Sequence, residues 1–293
     1  IAVYSLASLS SSTVLQTYGG AGDGGKAGGP GTTFTWVAGV RVLVVDNSAQ
    51  TSDLTGGDIR LPASGSGTLY LDTLTIKDSS VTIDYDLSVV SLLATSSTVT
   101  SSKPANVDTL TASSCTWTSN KAVSVTTLSI ASTSWTSSAD ITAATLSLMG
   151  SSTTLSTSSG YVTTGNMTVG SGTTLEASGS GSLYLQIDDT LSIVGTVQAT
   201  GGAVNVYASF LSVQSTASVT ASSSVALSGQ TLENAGSITC TSAACYVAFL
   251  FATSVDVSGS GLVQATQIAV ESASLSLGGS TTLDTSGKGS ASE

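Results

Sequence analysis

The side chains that could do chemistry are few and widely spaced. The chain of 293 residues holds no His, seven Lys and Arg, and 18 Asp and Glu, a formal net charge of −11. Without His there is no imidazole acid–base chemistry, and the commonest zinc ligand is missing. Carboxylates are the only candidate acids and bases. Asp84 and Asp86 are two apart, so strand alternation predicts one face for both, with Lys77 and Asp78 one corner earlier. Asp188 and Asp189 are predicted to begin another turn of the chain. Glycan cleavage needs such acids clustered. The residues 18 and 36 beyond Asp86 are Pro104 and Ala122, so no cluster builds, and a lyase would lack its base. The expectation is therefore no catalytic residue, no cofactor and no metal, hence no enzyme. Seven cations cannot neutralise a phosphate backbone, which excludes nucleic acid as a partner.

Hydroxyls are the abundant chemistry, with 57 Ser and 45 Thr, about a third of the chain. Thr73 and Thr75, Thr109 and Thr111, Thr127 and Ser129, and Thr145 and Ser147 each flank a leucine, and Leu93 interrupts the series. Such an array could accept O-linked sugars, meet a polysaccharide, or order water as an ice-binding surface does. Plain strand chemistry explains the same residues, since Thr suits an exposed strand face. Asn166-Met167-Thr168 is the only N-x-S/T sequon and marks Asn166 for N-glycosylation in a secreted chain. Cys240 and Cys245 are five apart, so a local disulfide is one reading, with Cys115 left over. Three buried small apolar residues is the other.

An internal period says which elements position these groups. Leu74, Leu92, Leu110, Leu128 and Leu146 recur every 18 residues, each inside a four-residue copy such as Thr109-Leu110-Thr111-Ala112. Val81, Val99, Trp117 and Trp135 keep the same step, as do Leu87, Ala105, Val123 and Ile141, and Val89, Val107, Val125 and Ala143. Beyond Leu146 the copies continue at Met167, Leu191, Leu211, Leu232, Val255 and Ile268, with steps mostly near 20 to 24. Polar and apolar residues alternate within each copy, the period of a strand. Ser, Thr, Gly and Asn separate the copies, and Ser, Thr and Gly are poor helix formers.

A lone alternating strand cannot bury one face, whereas stacked coils cover each other's apolar side. The period predicts an all-β fold: a single-stranded parallel β-helix, or β-solenoid, of about a dozen coils of 18–24 residues through 1–293. Leu74, Leu92, Leu110, Leu128 and Leu146 form its predicted core ladder, and Trp117 and Trp135 are expected to stack inward. Handedness does not follow from the period. The longest apolar run, Ala243 to Ala252, has ten residues, too short to span a bilayer. The chain starts at Ile1 within a strand-like pattern, and the expectation is a removed leader or a segment of something longer.

Residues 19–31 read GGAGDGGKAGGPG, expected to be a loop bulging from one coil. This stretch, then TTF and VRVLVVDN, with SGSGTLYLDTLTI and SGSGSLYLQIDDTLSIVGTVQATGG further on, resembles large secreted β-helix repeat proteins of protists and algae. The resemblance implies a right-handed β-helix and extracellular matrix, adhesin or surface-fibre roles. It supplies no catalytic residues.

Ile1-Ala2-Val3-Tyr4-Ser5 is similar to Ile268-Ala269-Val270-Glu271-Ser272, and residues 9–17 to 277–285. Either any two coils look alike, or the chain is one cassette of a longer repeat. Neither end carries the polar cap a solenoid normally needs. The expected function is a structural subunit of an extracellular or cell-surface glycoprotein filament, a homopolymer of head-to-tail solenoids carrying covalent glycans. The rival readings are a carbohydrate-binding or adhesin module, a β-helix polysaccharide-degrading enzyme, and an ice-binding protein.

Overall fold

The computed structural model describes residues 2–5, 31–46, 59–60, 68–158 and 161–285. Residues 19–30 of the glycine-rich stretch, and Ile1 and residues 9–17 of the cassette match, lie outside them. The described residues are all-β, with parallel strands wound into a β-solenoid of about 11 turns. No helix among them is long and apolar enough to cross a membrane. The chain packs as two compact units, Ile1–Trp135 and Thr136–Glu293.

The first unit opens with β1 (Ala2–Ser5), β2 (Gly31–Val37), β3 (Val40–Asp46) and β4 (Ile59–Arg60). Long and short strands then alternate. They are β5 (Thr68–Lys77), β6 (Ser80–Ile83), β7 (Asp86–Thr95), β8 (Thr98–Ser101), β9 (Ala105–Ser113), β10 (Thr116–Ser119) and β11 (Val123–Ala131). β12 (Ser134–Ser137) follows. The long strands stack in one sheet and the short ones in another. Each leucine pairs with its counterpart one coil on: Leu74 with Leu92, Leu92 with Leu110, and Leu110 with Leu128. All four are buried, as are Val81, Val99, Trp117 and Trp135 of the facing column. The Trp117 and Trp135 rings stack at 4.7 Å between centroids, 13° from parallel, a contact worth roughly 1 kcal/mol beyond its burial.

The opening strands depart from the coil plan. β2 and β3 run antiparallel, as a hairpin closed by Ala38 and Gly39, both at positive φ (50° and 85°). That pair of conformations gives a two-residue turn whose twist matches the strands it joins. Val40 to Asp46 thus pairs backwards with Gly31 to Val37 and forwards, in parallel, with β5.

The corner after each long strand in this unit is built by two columns. Asp78, Ser96, Ser114 and Ser132 sit at φ 48°, 49°, 56° and 48°, a left-handed conformation that costs a non-glycine residue about 1 kcal/mol. The turn delivers the Asp78, Ser96 and Ser114 N–H groups to carbonyls of the next coil at 2.9–3.0 Å. The following column, Ser79, Ser97, Cys115 and Thr133, is buried and polar. Each side chain donates to the carbonyl two residues back: Ser79 to Lys77, Ser97 to Thr95, Cys115 to Ser113 and Thr133 to Ala131. Ser97 Oγ also accepts from the Ser79 N–H, and Thr133 Oγ1 from the Cys115 N–H.

The second unit uses the same plan with longer coils. Its strands are β13 (Ile141–Met149), β14 (Thr153–Thr157), β15 (Tyr161–Val169), β16 (Thr173–Ala177), β17 (Leu183–Ile193), β18 (Thr196–Ala199) and β19 (Ala203–Val213). They continue as β20 (Ser218–Ala221), β21 (Ser224–Asn234), β22 (Ser237–Cys240), β23 (Tyr246–Val257), β24 (Leu262–Gln264), β25 (Gln267–Leu277) and β26 (Thr282–Asp284). Leu146 pairs with Met167, and the column goes on through Leu191, Leu211, Leu232 and Val255 to Leu275. The last step corrects the expectation from sequence. Ile268 pairs with Val247 in a different column, because it follows Val255 too closely for the chain to have closed a coil. Inserted residues lengthen chiefly the corners, as at residues 178–182 and 214–217, and one-residue register shifts fall within the long strands at Thr164/Met167, Ile187/Thr190, Gly229/Thr231 and Phe251/Ser254. Gly229, at φ 151°, has no alternative there, since a Cβ would overlap the Ala208 carbonyl.

The alternation gives a test on neighbouring residues. Leu92→Asp puts an unpaired charge in the column and lowers stability by at least ~3 kcal/mol. Leu93→Asp, one residue on and 41% exposed, stays within about 0.5 kcal/mol of the parent. Urea unfolding followed by circular dichroism separates the two.

Candidate functional site

The acidic residues are held apart. Asp84 lies in the corner between β6 and β7 and accepts from Ser102 Oγ at 2.6 Å, while Asp86 is exposed at the start of β7. The two straddle a corner rather than sharing a strand face. Asp188 and Asp189 are both exposed in the middle of β17, at its bend, and do not begin a coil. Arg41 pairs with Asp72 at 3.6 Å, and its backbone N–H donates to the same carboxylate at 2.6 Å. Among the described residues no three His, Cys, Asp or Glu side chains converge as a metal site.

The hydroxyl columns face outward. Thr73, Ser91, Thr109 and Thr127 form one, and Thr75, Leu93, Thr111 and Ser129 the next. Thr109, Thr127 and Thr145 are exposed, and Thr73, Thr75 and Thr111 are half-buried between neighbouring coils. Thr145 pairs with Asn166 in the second unit. Met167 of the sequon is buried in the leucine column, which turns Asn166 and Thr168 outward into exposed positions.

The cysteines divide between two environments. Cys240 and Cys245 are joined as a disulfide across the corner from β22 to β23, with Cα atoms 6.0 Å apart. Cys115 is free and buried in the polar corner column. Burial pushes its thiol above the ordinary range, against smaller opposing effects of the Ser97 and Ser113 backbone. A buried neutral thiol is chemically inert, so Cys115 serves the corner as a hydroxyl does.

One outward face of the second unit is aromatic. Tyr161 of β15, Tyr184 of β17 and Tyr207 of β19 are exposed, with Tyr161 paired to Tyr184, and Gln186 to Tyr207. The Tyr161 and Tyr184 rings meet at 4.9 Å between centroids, tilted by 38°. With Gln186, Asn205 and Ser228 they line an open hollow of about 220 Å³ that has no charged residue in its wall. Strand alternation places all of these side chains, since Tyr184 and Gln186 flank the buried Leu185, and Asn205 and Tyr207 flank the buried Val206. Residue-by-residue reading misses this cluster. The signal that could have found it is strand alternation along β15, β17 and β19, which turns each tyrosine outward beside a buried neighbour.

No protein-family model, curated protein or solved structure matches the chain.

The corner chemistry makes Cys115 separable from an apolar filler. Cys115→Ser keeps the donor and acceptor of its column and is tolerated, whereas Cys115→Ala leaves polar backbone unpaired at a cost of about 1–2 kcal/mol. A thiol whose pKa is raised on folding stabilises fully below its unfolded pKa, and that stability is lost as pH rises through the folded one. The parent therefore weakens above about pH 8.5 relative to Cys115→Ser. Melting curves across alkaline pH measure this. A thiol reagent should label Cys115 only after unfolding.

Proposed function

We propose that the chain is a structural subunit of an extracellular or cell-surface glycoprotein filament, built by end-to-end stacking of solenoid coils. The observation that carries the reading is the state of the last described coil. Leu275, Leu277 and Leu283 are 49%, 52% and 40% exposed, although each continues an inward column. Their partners one coil earlier, Val255, Val257 and Val263, are at most 1% exposed. β25 and β26 each have one strand neighbour among the described residues. An apolar coil whose strands are paired on one side only, among the described residues, invites another coil to pair with it. In this reading a second copy supplies the cover, as a head-to-tail contact that does not close on itself.

The remaining features fit a secreted building element. A disulfide suits an oxidising compartment. Asn166 and the exposed Thr109, Thr127 and Thr145 are accessible for N- and O-linked sugar. Only 9% of the residues are charged, so contacts between copies of the chain depend on apolar area and backbone pairing, which salt does not screen.

The purified chain is expected to form end-to-end assemblies in negative stain and in sedimentation, and to keep them in high salt. Leu275→Asp with Leu277→Asp should give monomers with an unchanged circular dichroism spectrum. A parent chain that sediments as a monomer at high concentration would contradict the proposal.

A further inference from the structure

We infer that the tyrosine-lined hollow of the second unit is a binding site for a neutral oligosaccharide chain. The inference does not rest on end-to-end stacking. Its first support is the chemistry of the wall. A pyranose ring has apolar C–H faces and a rim of hydroxyls. Tyr161 and Tyr184, a tilted pair with centroids 4.9 Å apart, and Tyr207 offer aromatic surface to the first, and aromatic faces carry the negative quadrupole that attracts C–H groups. Gln186, Asn205 and Ser228 offer amide and hydroxyl groups to the second, and each amide can both donate and accept.

Its second support is charge. The wall is uncharged, Asp188 and Asp189 are exposed further along the same strand as Tyr184 and Gln186, and the chain carries a net charge of −11. Anionic polysaccharides and phosphates are disfavoured at such a surface, and a neutral sugar chain meets no such penalty.

Its third support is shape and preorganisation. The hollow is open and, at about 220 Å³, below the usual range for pockets that enclose a small molecule. It suits a ligand laid across strands. Tyrosines have two side-chain torsions to fix and stand here on paired strands, so little ordering entropy opposes binding.

Titration calorimetry with cellohexaose, laminarihexaose and mannohexaose, and with oligogalacturonate as the anionic contrast, tests the inference on the intact chain. At least one neutral hexaose should bind, and oligogalacturonate should not. Tyr184→Ala should weaken the bound hexaose by about tenfold or more, and Tyr184→Phe should retain most of the affinity. The altered residue is exposed, so circular dichroism should match the parent. No binding of any neutral hexaose, preferential binding of oligogalacturonate, or equal affinity in Tyr184→Ala would each overturn the assignment.

Discussion

Everything in this molecule follows from one constraint: a side chain that points inward must be covered by the residue at the same position one coil on. Parallel strands about 4.8 Å apart bring such residues into direct contact, so a column is only as sound as its worst member. A charge inside a column would touch two apolar neighbours and no partner. That is why Leu74 to Leu128 and Leu146 to Leu275 contain nothing but Leu, Met and Val. It also explains why the chain has so few charges, since about half its strand positions face this interior.

The same geometry governs the buried corner column, where polar groups cannot escape to water. The column of Ser79, Ser97, Cys115 and Thr133 places a donor against the carbonyl two residues back and an acceptor near the amide of the adjacent coil. Trp135 extends the scheme, because its Nε1–H donates to Ser119 Oγ at 3.1 Å. Outward positions carry no such obligation. They hold Thr in one column, Leu93 within another and Tyr161 and Tyr184 further along, with little effect on the stack.

The solenoid is legible in the sequence because inward apolar residues repeat at a fixed step. Arithmetic alone places Leu74 to Leu128 and the two tryptophans. Where the step varies, legibility falls. Ile268 aligns falsely with the leucine column because its local pattern, polar then apolar, is the same in every column. Asp84 and Asp86 share a face only if alternation is carried through a corner, where it does not apply. The hairpin of β2 and β3 is hidden because strand direction leaves no mark on periodicity. The buried corner column is hidden because Ser and Thr, in a chain about one-third Ser and Thr, look like surface. The tyrosine hollow escapes because its members come from strands whose register has shifted, so that Tyr207 pairs with Gln186 rather than Tyr184.

The identical step from Leu74 to Leu128 also makes the coils of the first unit modular. Excising or duplicating one whole repeat anywhere between those leucines rejoins the chain in phase, with every inward position still above an inward position. Length can therefore drift in evolution by whole turns, through simple slippage during copying, without any compensating change elsewhere. The second unit, with longer and unequal steps and bends matched to particular neighbours, has given up that freedom, and its surface can become individual in return.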